Sequence, residues 1–352
     1  MIQFDKRAIR TLGIDTPIIQ APMAGGTTTP ELVAAVSNAG GLGSIGAGYL
    51  SAEAIEETVA ATRALTDKPF ALNLFVPGEP AVDQDRIEQS NVRLDSFRQA
   101  LAIDRPDPPV RFAPDFEAQF DAALAARVSV FSFTFGALTP EQVSRLKGVG
   151  STVIGTATTV AEARALEAID VDMIVAQGSE AGGHRGTFLH DWQDALIGTM
   201  ALVPQVVDAV SIPVIASGGI MEGRGVAAAF MLGACAVQMG SAFLVCQESG
   251  ANRTHQQALL EADAAHTQVT PVFSGKAARG IRNRFIDEMS MLGDRIPDYP
   301  IQNAWTKDVR AAAGAQGRAE FMSLWAGQAA TLARRTTAAQ LIADIRSHLD
   351  SF

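Results

Sequence analysis

Cysteine is scarce. Two residues of 352, Cys235 and Cys246, make neither a disulfide framework nor a metal-ligand set. Cys235 sits in an apolar run and reads as a core thiol. No apolar run reaches the ~20 residues of a membrane-spanning helix. The opening residues, Met1-Ile-Gln-Phe-Asp-Lys-Arg7, lack the apolar segment of a signal peptide, so a cytoplasmic enzyme without a membrane partner is the expectation. Positive charge is in deficit. The 28 Lys and Arg against 38 Asp and Glu leave a formal net charge of −10, which disfavours a nucleic-acid or anionic-membrane surface but not a local anion site. No Walker A motif is present. Gly41-x-Gly43-x-x-Gly46 has the letters of a dinucleotide fingerprint but runs through an expected strand, so it is discounted. No Ser-His-Asp order or metal-ligand spacing is compelling, and no metal is expected.

What is present is a set of short strands with polar ends. The densest is Val175-Ala-Gln-Gly-Ser-Glu-Ala-Gly-Gly-His-Arg-Gly186, where an apolar run breaks into four glycines, an amide, an acid, an imidazole and a guanidinium. Glycine lets backbone approach a ligand closely, and polar groups packed behind a buried strand face a site more often than bulk solvent.

Strands are expected at 17–22, 42–46, 70–75, 128–132, 151–155, 172–176, 213–217 and 235–239, alternating with helices. Thr29-Pro30 and Ser51 mark two helix starts, and Thr158 or Thr159 a third. Several strands are apolar throughout, as strands buried on both faces are. The pattern predicts an α/β fold, a (β/α)8 TIM barrel over residues 1–250 with an excursion at about 78–110 that holds a polar helix. A doubly wound sheet gathers its ligand groups at one switch point, whereas here they follow many strands. Residues 251–352 form a C-terminal helical and irregular extension. Helices are expected over 254–265 and 317–349. The irregular 267–310 between them suits a lid as much as it suits the alternatives of an oligomer contact or a surface excursion.

The ends of the last two barrel strands, Ser217-Gly-Gly219 and Gln238-Met-Gly-Ser241, suit a phosphate held by backbone N–H groups. Flavin mononucleotide or a sugar phosphate would fit. Asn73 and Gln177 offer a donor and an acceptor each without charge, which suits a flavin edge. His184 is the acid/base candidate because imidazole titrates near neutrality. His255, His266 and His348 fall in expected helices and read as solvated, and Glu180 and Arg185 read as charges bracing the loop.

Ile19-Gln-Ala-Pro-Met-Ala-Gly25, Ala176-Gln-Gly-Ser-Glu-Ala-Gly-Gly-His-Arg-Gly186, Pro213-Val-Ile-Ala-Ser-Gly-Gly-Ile220 and Gln238-Met-Gly-Ser241 together resemble the nitronate monooxygenases, formerly 2-nitropropane dioxygenases, of the bacterial class I type. The resemblance covers about residues 10–250 and implies non-covalent FMN, with O2 as co-substrate. By position it implies that Pro22, Met23 and Ala24 line the flavin and that Asn73 and Gln177 bond it. Gly182, Gly183, Ser217, Gly218, Gly219, Gln238, Met239, Gly240 and Ser241 would hold its phosphate end. His184 falls on the catalytic histidine. Tyr299 and Lys307 fall on active-site positions, and Asn303 stands where a second tyrosine is expected. The implied reaction oxidises an alkyl nitronate, such as propionate 3-nitronate, to a carbonyl compound and nitrite through a flavin semiquinone. A protonated His184 or Lys307 would attract the nitronate. The rivals are an FMN-dependent enoyl-ACP reductase, an NAD(P)H:quinone reductase and a non-catalytic flavin-binding module. A small-molecule partner is expected, and a homodimer is left open.

Overall fold

Apolar runs buried on both faces need a sheet covered on both sides. The computed structural model, which describes residues 5–263 and 266–351, meets that need by closing the sheet on itself. Residues 1–4 of the opening segment, and positions 264–265 of the helix expected over 254–265, lie outside the described residues. The strands are β1 (Ile18–Gln20), β2 (Gly43–Gly46), β3 (Phe70–Phe75), β4 (Val130–Thr134), β5 (Thr152–Ala157) and β6 (Met173–Gln177); then, past the two-residue β7 (Gly183–His184), β8 (Val214–Ser217) and β9 (Ala236–Met239). All but β7 form one parallel eight-stranded sheet in the order β1-β9-β8-β6-β5-β4-β3-β2. It closes where β1 meets β2: Gln20 N–H donates to Leu42 O, and Leu42 N–H to Ile18 O, each at 2.9 Å. This is the (β/α)8 TIM barrel that the strand pattern predicts.

Ile19, Val130, Ile154, Met173, Val175 and Ile215 pack in one buried cluster with Ala8 and Leu12 of the short helix Arg7–Leu12. A larger cluster lies between strands and helices; each large side chain fully buried there contributes about 1.5–3 kcal/mol. The side chains of Thr29, Ser51, Thr139 and Thr159 accept the N–H groups of Leu32, Ala54, Gln142 and Glu162, each cap contributing about 1 kcal/mol.

The excursion and the extension share a core. Ile87, Leu94 and Phe97 of the helix Gln84–Leu101 pack with Phe273, Phe285, Ile301 and Phe321. The stretch 267–310, expected to be irregular, is instead built: β10 (Thr267–Thr270) and β11 (Ala278–Ile281) pair antiparallel, and the helices Arg284–Met289 and Ile301–Trp305 follow. The helix expected over 317–349 is corrected too. A helix runs over Lys307–Gln316 and stops at Gly317, whose φ of +66° ends it. Only Ala338–Asp350 is helical beyond the short 3-10 turns. That last helix buries Ala338, Ile342 and Ile345 in the barrel's own core cluster. It supplies the outer helix that follows β9, so the extension is inserted between the last barrel strand and its helix. The helix expected over 194–210 begins only at Thr199. Among the described residues, no helix is long and apolar enough to cross a membrane.

Candidate active site

The carboxyl ends of the strands open into a cavity of about 880 Å³, within the range of a cofactor site. Every candidate cofactor position lies on its wall: Pro22 to Ala24 after β1, Asn73 in β3, Gln177 ending β6, Gly182 and Gly183, Ser217 to Gly219 after β8, and Gln238 to Ser241 after β9. Gly218 and Gly219 have φ of +116° and +71°. A Cβ on Gly218 would also stand 2.9 Å from Thr199 Oγ1, so this turn requires glycine. Ser241 opens a short helix, Ser241–Leu244, and its Oγ accepts the N–H of Gly327 at 3.0 Å.

The loop after β6 is braced from within. Gln177 Nε2 donates to His184 O at 3.0 Å, and its Oε1 accepts the N–H of Gly186 at 2.8 Å. The amide expected to face a flavin is therefore largely engaged with the loop. Asn73 Nδ2 donates to Ser132 Oγ at 2.9 Å. Arg185 is buried and donates to the carbonyls of Gly178, Gln177 and Ala195. Glu180 accepts from Thr199 N–H and Oγ1, which places its carboxylate at the start of the helix Thr199–Ala209. That capping explains why the helix starts late.

His184 is held from the extension. It pairs with Ala278 across β7 and β11, and its Nε2 lies 2.8 Å from Ser274 Oγ. Ser274 Oγ donates to Lys276 O at 3.0 Å. One hydroxyl hydrogen serves one acceptor, so the network puts the ring proton on Nε2 and leaves Nδ1 as the basic atom. Aromatic rings surround the imidazole: Phe135 at 5.4 Å, Trp325 at 5.4 Å, Tyr299 at 6.2 Å and Phe75 at 6.4 Å between centroids. Burial, then the nearby cations Lys276 and Arg310, push the His184 pKa down to about 3. A protonated His184 attracting an anion is thus corrected: the ring is neutral at physiological pH.

The fixed cations carry that charge instead. Lys276 Nζ sits 4.8 Å from the centre of the Phe135 ring and donates to Thr187 O at 3.0 Å; burial lowers its pKa to about 8 against the pull of Glu162. Arg111, Lys307 and Arg310 reach the cavity wall. Among the described residues, no Asp or Glu lines it, in a chain whose net charge is −10.

Asn303 and Lys307 line the cavity, and Tyr299 packs against the lining rings of Phe135, His184 and Phe75 at 5.4, 6.2 and 6.5 Å. Tyr49, which the sequence reading passed over, is the tyrosine on the wall. His255, expected to be solvated, is buried and donates from Nε2 to Trp325 O at 2.9 Å. Ser274 and Lys276 were also missed, because their partners His184 and Thr187 lie 90 and 89 residues away in sequence; Arg310 was missed because its local contacts to Asn303 and Thr306 carry no sequence pattern.

The model of a family described as nitronate monooxygenase matches residues 7–347. A probable nitronate monooxygenase of Staphylococcus haemolyticus is 46% identical over 341 residues, covering 96% of this chain and 95% of that protein. One from Staphylococcus aureus strain Newman is 47% identical over 345 residues, covering 98% and 97%. Among solved structures, a nitroalkane oxidase from Streptomyces ansochromogenes is similar with a TM-score of 0.91 and 39% identity, over 97% of this chain and 98% of that one. FabK from Thermotoga maritima is similar with a TM-score of 0.78 and 30% identity, over 100% and 97%.

Proposed function

The chain belongs to the nitronate monooxygenase family of oxidoreductases, and from that premise we propose that it uses non-covalent FMN and O2 to convert alkyl nitronates to carbonyl compounds and nitrite. The observation that carries this reading is the cavity itself: a neutral His184 in an aromatic wall, beside cations and with no lining carboxylate. Such a site favours an organic anion that arrives already ionised.

The residues fit FMN. The cavity has room for it, the turns after β8 and β9 are glycine-rich at the start of a short helix, and Asn73 keeps amide atoms for a ligand. Gly218, Gly219, Gly240 and Ser241 would hold the phosphate, and Pro22, Met23 and Ala24 the ring system. Bound FMN supplies the electron acceptor that the amino-acid side chains lack.

The chain's own residues orient and shield. Phe75, Phe135 and Trp325 exclude water from His184. Arg310 receives the negative charge of the substrate. A nitronate needs no base, so a weakly basic imidazole is no handicap. For a neutral nitroalkane, Nδ1 of His184 takes the α-proton, and the low pKa makes that step slow.

The similarity to FabK keeps a reductase as the second reading. The deciding experiment is anaerobic. The flavin spectrum should change on adding ethyl nitronate and stay unchanged with NADPH. Bleaching by NADPH with no response to nitronate would establish the reductase instead. Protein that cannot be loaded with FMN would overturn both.

A further inference from the structure

We propose that Arg310, held in place by Asn303 and Thr306, is the specificity-determining residue that seats the planar oxyanion of the substrate, with the Tyr49 hydroxyl as its companion donor. The proposal rests on the nitronate reading of this cavity and names the residues that recognise the anion.

Arg310 lies in the helix Lys307–Gln316. Its Nε donates to Thr306 Oγ1 at 3.1 Å. Its Nη2 donates to Asn303 O at 2.8 Å and to Asn303 Oδ1 at 3.0 Å. One side of the guanidinium is thereby clamped. Among the described residues, Nη1 has no hydrogen-bond partner, and Arg310 lines the cavity. All of its acceptors are neutral. Asp308 acts on Arg310 through its charge, but its Oδ2 goes to Arg98 at 2.7 Å, so among the described residues no carboxylate hydrogen-bonds the Arg310 guanidinium. A guanidinium withdrawn from bulk water without a carboxylate partner is costly unless an anion joins it. Its fork matches a planar pair of oxygens better than the point charge of a lysine does.

Tyr49 completes the seat. The chain has two tyrosines, Tyr49 and Tyr299, and each influences the ionisation of the other. Tyr49 is on the cavity lining, and Tyr299 packs against Phe135 at 5.4 Å. On the lining, the Tyr49 hydroxyl is placed to donate to a ligand in the cavity. Tyr49 and His184 both lie within the field of the Arg310 charge, so the seat adjoins the imidazole. Lys307, by contrast, is exposed and makes none of these fixed contacts.

The test uses FMN-loaded full-length protein and titrates nitrate, a planar and redox-inert oxyanion, by calorimetry. Arg310→Met should raise the nitrate Kd by about tenfold or more. Tyr49→Phe and Asn303→Ala should raise it by about threefold, and Lys307→Met by less than about twofold. Arg310→Lys keeps the charge and loses the fork, so an intermediate Kd supports the seat even if Arg310→Met fails to fold. Nitrate binding within twofold of the parent in a folded, FMN-loaded Arg310→Met protein would overturn the proposal, as would a parental Kd in Arg310→Lys and Asn303→Ala together. Loss of nitrate binding in a protein whose parent never oxidises nitronates would leave the anion seat standing and remove the nitronate reading. With ethyl nitronate, a raised KM at unchanged kcat in Arg310→Lys is the expected kinetic counterpart.

Discussion

Ser274 Oγ lies 2.8 Å from His184 Nε2 across 90 residues of chain. The serine's own hydrogen goes to Lys276 O, so this contact selects the ring tautomer. The imidazole then works as a base through Nδ1 alone. His184→Asn should cost about a hundredfold or more in kcat/KM on a neutral nitroalkane and about tenfold or less on the preformed nitronate. Ser274→Ala should move in the same direction by about tenfold, since the ring keeps its base but loses its fixed tautomer. Oxygen-electrode assays on both forms of one substrate give the comparison. Equal losses on the two forms would remove the proton-transfer role.

The same imidazole makes the fold acid-sensitive. Its folded pKa is depressed to about 3 from 6.5, so between those values the unfolded chain binds a proton that the folded chain does not. Stability therefore falls as pH drops from about 6.5 toward 3. His184→Phe should flatten that part of the slope in urea unfolding measured at pH 7, 6 and 5. An unchanged slope would mean that the ring is protonated in the folded protein.

The barrel was legible because its signals are local. Val175-Ala-Gln177 and Val214–Ser217 are apolar runs that end in glycine, and their partners repeat the pattern. Gly182, Gly183 and His184 could be found for the same reason. The other half of the site is assembled by long-range pairing. A two-residue strand such as β7 has no periodicity to read, and its partner β11 lies in a glycine-containing stretch that looked irregular. Tyr299 carried an expectation by position and packs beside Phe75 and Phe135, while Tyr49, which carried none, lines the cavity. His255 looked like a surface helix residue until Trp325 O gave it a buried partner. The last helix could not be assigned to the barrel from sequence, because the inserted extension separates it from β9.

Gly218 and Gly240 should separate folding from cofactor binding. A side chain at Gly218 meets φ of +116° and Thr199 Oγ1 at 2.9 Å, so Gly218→Ala should lose about 1–3 kcal/mol of stability as well as FMN. A Cβ at Gly240 meets Ala21 Cβ at 3.6 Å and Met23 Sδ at 3.9 Å, ordinary contacts at an ordinary φ. Gly240→Ala should therefore fold with stability within about 0.5 kcal/mol of the parent yet retain FMN poorly after gel filtration. Full retention in Gly240→Ala would move the phosphate away from this turn.

Lys276 gives the site an alkaline limb. Its pKa is lowered to about 8 from 10.5, so it sheds its charge when folded before it would when unfolded. Folding stability accordingly rises with pH between about 8 and 10.5, while the positive field around His184 weakens. The KM for a nitronate should increase by about three- to tenfold from pH 7 to 9 at low salt. In Lys276→Met both pH dependences should disappear, with KM already raised at pH 7. A parental KM profile in that variant would exclude Lys276 from anion binding.

Glu162 links these effects to the scaffold. It is fully buried. One oxygen accepts from Thr158 N–H and Oγ1 at 2.7 and 2.6 Å, the other from Phe188 and Leu189 N–H at 2.6 and 3.1 Å. Both ends of the carboxylate face donors, so in Glu162→Gln the amide NH2 must meet donors whichever way it turns. The variant should lose about 3 kcal/mol, read as a lower urea midpoint at constant m. Thr187, whose carbonyl takes the Lys276 ammonium, sits next to the two anchored amides, and the Glu162 charge opposes the depression of the Lys276 pKa. Removing that charge should move the alkaline limb of KM below about 8. A destabilised variant with an unmoved limb would show that Glu162 anchors the loop without setting the lysine's charge.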